Sequence, residues 1–191
     1  MQPQSGGPSR EGRVIAAATD VFLRYGFART TMGDIAERAG ISRPALYLVF
    51  PGKEEVFAAV IRRLNDDSLA GIRAALPTLP TLEDKVLFAC ETWGAYGYDL
   101  ILTNPDSKDL WDLSFAPVRE IYAEFQALIA ELLAEPVAAS TLDASSEELA
   151  RALTFSMRGL EETAKDGADM RRLIALQVTL VLRAIEGPGG H

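Results

Sequence analysis

Thiol and imidazole are what this 191-residue chain has least of: one cysteine, Cys90, and one histidine, His191. A single cysteine excludes an intramolecular disulfide and fits a reducing cytoplasm. A single histidine, in the terminal "GPGGH" tail, leaves no Ser-His-Asp or Cys-His arrangement and no histidine-based metal site. Neither common phosphate-binding glycine loop is present. Cys90 itself reads as a small buried apolar residue rather than a nucleophile. A carboxylate-only enzyme would have no motif behind it, so the expectation is a protein that is not an enzyme and has no cofactor and no metal. No apolar run approaches the roughly 18 residues that span a bilayer. The opening "MQPQSGGPSR" lacks the apolar core of a secretory signal. Cytoplasmic localisation with no membrane partner is the expectation.

What is present is an ordinary globular composition, 48% hydrophobic and 24% charged, which argues against disorder. The net charge of −8 is unevenly spread: residues 1–64 carry nine Lys/Arg against six Asp/Glu, a net of +3, and the remainder carries −11. A basic segment on an acidic chain hints at nucleic-acid contact at the basic end, although +3 over 64 residues is also within ordinary scatter.

Nearly every periodic segment reads as helix. "EGRVIAAATDVFLRYG" stops at Gly26. Thr31 can N-cap a helix that buries Ile35 and Ala39 and ends at Gly40. Ser42 caps "RPALYLVF", with Pro44 in the first turn, where a missing N–H costs nothing. Pro51-Gly52 precedes a long helix from Lys53, and "PTLP" (77–80) is the clearest linker. Thr81 caps "LEDKVLFACETWGAYGYDLIL", which places Val86, Cys90, Trp93 and Gly97 on one stripe. "TNPDSK" interrupts before a short segment around Leu110 and Trp111. Pro117 opens the next helix and Pro136 is expected to close it. Two more helices follow, separated by "DGA". No β-type alternation competes, so the fold expected is all-α.

Residues 31–50 form two short helices around a glycine turn, each too short to be stable alone. That pattern describes a helix-turn-helix. Ile35, Ala36, Ala39, Ile41 and Leu46 form its buried set, and Arg43, Ala45, Tyr47, Leu48 and Val49 are left facing out. A helix of about 10–12 Å diameter fits a major groove about 12 Å wide. Arg43 is the best candidate for direct readout, since its fork matches guanine O6 and N7, and Ala45 suits a thymine methyl.

"VIAAATDVFLRYGFARTTMGDIAERAGISRPALYLVFPGKEEVFAAVI" resembles the DNA-binding domain of TetR-type (tetracycline-repressor-like) transcriptional regulators, in order and without gaps over roughly residues 8–68. The resemblance implies an N-terminal three-helix domain (8–68, helix-turn-helix about 31–50), a C-terminal helical ligand-binding and dimerisation domain (77–186), and homodimeric binding to a palindromic double-stranded operator. It places Thr31 at a phosphate-contacting helix start, Arg43, Pro44 and Ala45 at the exposed start of the recognition helix, Tyr47 at a phosphate-contacting tyrosine and Lys53 at the lysine opening the fourth helix. Tyr47 as a core-edge aromatic and Lys53 as a solvated lysine are the competing readings. The chain departs from the pattern at Leu48, where many members are polar, and at Val49, where many carry histidine or an aromatic. The operator sequence is therefore not transferable.

Both tryptophans and three of the five tyrosines lie in residues 93–122, on the helical segments after Pro77. Cys90, Trp93, Tyr96, Trp111, Phe115 and Phe125 are the candidate lining of a small-molecule effector cavity, against core packing as the competing role of each. The last two helices carry a near-continuous apolar face, "LIALQVTLVL", and the small residues Ser156 and Gly159. Phe155, Ser156, Gly159, Ile174, Gln177 and Val181 are the candidate dimer interface, which the resemblance makes a four-helix bundle with a second copy. The function expected is a ligand-responsive, homodimeric repressor released from its operator by a small molecule. The alternative is a helical small-molecule or partner-binding protein that does not bind DNA.

Overall fold

The structure is a computed structural model, and it describes residues 9–187; His191, Pro8 and most of the N-terminal polar stretch lie outside them. Among the described residues the elements are helical throughout: α1 (Arg10–Arg29), α2 (Met32–Arg38), α3 (Arg43–Tyr47), α4 (Lys53–Ala75), α5 (Leu82–Cys90), α6 (Tyr96–Thr103), α7 (Ala116–Ala139), α8 (Ser146–Leu160) and α9 (Gly167–Glu186). Short 3₁₀ turns occupy Leu76–Thr78 and Pro105–Trp111, and one wide π-type turn, Glu91–Ala95, joins α5 to α6. No helix among the described residues is long and apolar enough to cross a membrane.

The chain divides into two compact units, one drawn from Met1–Leu64 and Thr103–Val118, the other from Asn65–Leu102 and Arg119–His191. The 103–118 segment thus packs with the N-terminal helices although it follows α6 in sequence. The first unit buries Val14, Ala18, Phe22, Ile35, Leu46, Val56, Phe57, Ile61 and Leu110. Phe27, Phe57 and Phe115 meet in a three-ring cluster with centroids 4.8–4.9 Å apart. The second unit is built on Ile72, Val86, Cys90, Tyr98, Phe125, Leu133, Leu153, Met157, Ile174 and Val178.

Three helix starts follow from the residues that cap them. Thr31, Thr81 and Ser145 each form a reciprocal capping box with the acid three residues on, satisfying two orphan N–H groups at once. Ser42 accepts from the Ala45 N–H at 3.3 Å. Regular winding in α1 breaks at Gly26, where φ is +73°, a conformation open to glycine and costly for residues with a Cβ.

Two expectations are corrected. Pro136 lies inside α7 rather than closing it. A proline forfeits the single bond to the carbonyl four residues back. With the helix ending at Ala139 and Val137 packed on the core, that loss is tolerated. The stripe Val86–Cys90–Trp93–Gly97 also fails beyond Cys90. The wide turn adds a residue and shifts the phase, so Gly94, Ala95 and Tyr98 take the buried face and Trp93 and Gly97 are half-buried.

Candidate nucleic-acid interface and effector region

In the helix-turn-helix, Ile35, Ala36 and Leu46 are buried, and Ala39 and Ile41 are half-buried. Gly40 makes the turn with φ +65°. Arg43 and Pro44 are exposed, Ala45 and Val49 half-buried, and Tyr47 and Leu48 are 46% and 83% exposed. The α3 segment carries no acid. Its Ala45 carbonyl accepts from Arg10 Nη2 at 3.2 Å, which ties the start of α1 to the outer helix.

Thr31 uses its hydroxyl within its own box: it donates to Asp34 Oδ2 at 2.7 Å and accepts from the Asp34 N–H at 3.3 Å. Hydrogen bonds from the Thr31 side chain and then its backbone hold the Asp34 carboxyl below its usual range. Lys53 is half-buried. Its Nζ donates to the Phe27 carbonyl at 2.8 Å and lies 4.2 Å from the centroid of the Phe27 ring. A cation at the start of α4 opposes that helix's dipole; the carbonyl and the ring face offset this.

Sequence reasoning missed Asp109. Its two carboxylate oxygens accept the N–H groups of Phe27 (2.9 Å) and Ala28 (2.8 Å), just after the Gly26 break, and Arg29 pairs with Asp106. More than 80 residues separate the partners, so no local pattern could have found them.

The six candidate effector residues are divided between the two units. Cys90 is fully buried in the second unit's core, and burial raises its thiol pKa well above the usual value. Trp93 stacks on Phe125 (4.3 Å, 8°) and meets the Tyr122 ring edge-on at 4.9 Å. Its indole N–H donates to Asn65 Oδ1 at 2.9 Å, and Asn65 Nδ2 donates to Glu124 Oε2 at 2.6 Å. Arg158 Nη1 donates to the Tyr122 hydroxyl at 3.1 Å, and burial raises that phenol's pKa. Tyr96 is 55% exposed. Trp111 and Phe115 belong to the first unit, where Phe115 packs on Phe27 and Phe57. A cavity of about 350 Å³ in the second unit is lined by Thr81, Leu82, Glu83, Pro136, Thr179 and Arg183 among others, and by none of the six.

Of the candidate interface residues, Ile174 is fully buried in the chain's own core. "LIALQVTLVL" is broken only by Gln177 and Thr179, and periodicity alone does not say which side faces inward. The outward apolar residues are Phe155 on α8 and Leu176 and Leu180 on α9. Gly159 is exposed, and a Cβ there would meet nothing within 4 Å. Ser156, Gln177 and Val181 are half-buried.

Together these observations define an all-α helix-turn-helix protein. Residues 14–60 match the family model described as bacterial regulatory proteins, tetR family. The transcriptional activator FasR of Mycolicibacterium smegmatis is 36% identical over 101 residues, 50% of this chain and 46% of FasR. The transcriptional regulator RutR of Escherichia coli is 38% identical over 66 residues, 35% of this chain and 31% of RutR. The matched stretch therefore spans less than half the length of each of these relatives. Among solved structures, the fatty acid degradation regulator FadR of Bacillus halodurans superposes with a TM-score of 0.72 at 18% identity, covering 94% of this chain and 97% of that one. A TetR-family regulator from Streptomyces coelicolor gives 0.69 at 21%, covering 92% and 80%. At such identities these two likenesses speak for the fold alone. Residues 14–60 are thus similar to the bacterial regulatory proteins of the tetR family, and the chain has the fold of solved TetR-family structures.

Proposed function

We propose that the chain is a homodimeric regulator that binds a palindromic operator, represses, and leaves the DNA when a small molecule binds its helical second unit. The observation that carries the reading is the exposed face of α3. A five-residue helix is held by Ser42, Leu46 and Arg10 so that Arg43, Pro44 and Tyr47 face solvent, within the segment that matches the family. Arg43 is the readout residue and Tyr47 the phosphate contact. The effector reading is supported by the aromatic group Trp93, Tyr122 and Phe125 and by its buried partner Asn65. Activation rather than repression is the second reading, and one observation favours it: FasR is named an activator.

A gel shift against the promoter of the chain's own or a neighbouring gene tests the reading. Arg43→Ala is expected to cost roughly 1–3 kcal/mol per half-site on the preferred operator and little on random duplex. Equal loss on both would remove Arg43 from readout. No shift with any duplex would favour the helical binding protein that does not touch DNA.

A further inference from the structure

The recognition helix has an apolar leading edge. Leu46 is fully buried and so marks the inward direction of α3. At about 100° per residue, Pro44 and Leu48 each lie roughly 160° from Leu46 and straddle the outward pole. Arg43 and Tyr47 form one flank, Ala45 and Val49 the other. Among the described residues, Leu48 is the most exposed large apolar side chain at 83%, ahead of Leu180 at 57%. Neither Pro44 nor Leu48 has a side-chain donor or acceptor, so neither can read the nitrogen and oxygen edges of a base pair. The one apolar group a major groove offers is the C5 methyl of thymine.

We propose that Leu48 is a specificity-determining residue that reads a thymine methyl in each operator half-site. The assignment rests on the DNA-binding reading above and deepens it: the preferred half-site carries at least one thymine whose methyl, and not its hydrogen-bonding edge, is required. Leu48 caps the end of α3 with its backbone N–H, while its side chain stands out of the core. Its truncation therefore leaves the packing of Leu46 and Phe50 in place.

The test begins with selection of bound sequences from a random-sequence duplex pool by the full chain. Each thymine of the selected site is then replaced singly by deoxyuridine, which removes the methyl and keeps the pairing. One replacement is expected to weaken the unmodified protein about three- to fivefold per half-site, the scale of burying one methyl-sized group. Leu48→Ala is expected to bind the thymine and deoxyuridine sites equally, and Leu48→Met, of similar volume, to restore the dependence. If no replacement weakens the unmodified protein, or if Leu48→Ala keeps the full methyl dependence, the assignment is overturned while DNA binding stands. If no duplex is retained from the pool, the DNA-binding reading falls and this assignment with it. Thermal melting of both variants by circular dichroism is expected to match the parent; a collapsed melt with the methyl dependence absent also in Leu48→Met would overturn the view of Leu48 as an outward side chain.

Discussion

At the residue scale, the helix-turn-helix depends on a side chain that faces its own backbone. Thr31 and Asp34 exchange hydrogen bonds at the head of α2, and these hold the Asp34 carboxyl below its usual pKa. A carboxylate whose folded pKa is depressed contributes stability above its unfolded value, about 4, and loses it as pH falls through the folded value. Thr31→Ala is therefore expected to cost about 1 kcal/mol at neutral pH. The gap from the parent should narrow below about pH 4, as Asp34 protonates in the unfolded chain and then in the folded one. Urea melts at pH 7, 5 and 3 measure this, and a gap that is constant with pH would detach Asp34 from the cap. The box was legible because its partners are three residues apart. Lys53 was legible only as a position: its bond to the Phe27 carbonyl joins residues 26 apart, and nothing in the local pattern of α4 announces it.

At the element scale, caps and breakers located most helices. Thr31, Ser42 and Thr81 stand at the starts expected of them. What stayed hidden depends on tertiary packing: the extra residue of the wide turn at Glu91–Ala95, the continuation of α7 past Pro136, and the docking of Pro105–Trp111 against α1. This last contact has a sharp steric signature. A Cβ on Gly26 would lie 2.3 Å from the Asp106 carbonyl oxygen and 2.6 Å from Asp109 Oδ1, in addition to the cost of its positive φ. Gly26→Ala is expected to destabilise by roughly 2–4 kcal/mol, combining backbone strain with the clash. Asp109→Ala, which strands two N–H groups, should cost about 1–3 kcal/mol. The double variant should lose less than the two single losses combined, because both act on one contact. Chemical denaturation followed by circular dichroism gives all three values; full additivity would show that Gly26 and Asp109 serve separate contacts.

At the scale of the whole molecule, the proposed operator has two half-sites and each chain supplies one recognition helix, so affinity depends on the pairing of two copies. The buried position of Ile174 narrows where that pairing occurs. On α8, Ala152, Phe155, Ser156 and Gly159 recur at three- and four-residue spacing, and all are exposed or half-buried; Leu173, Leu176, Gln177, Leu180 and Ala184 do the same on α9. A self-complementary contact of two such pairs is the geometry of a two-fold dimer. Gly159→Arg tests it cleanly. The position has nothing within 4 Å of a Cβ in its own chain, and arginine favours helix more than glycine does, so the single chain should fold at least as well as before. Between two copies, the same side chain would place a charge against its own symmetry mate. The expected outcome is a monomer by light scattering, an unchanged helical spectrum, and operator affinity reduced to that of one half-site. Gly71→Arg on α4 is the control, since that glycine is equally open and lies on another helix; it should remain dimeric. A Gly159→Arg protein that stays dimeric would move the interface off α8.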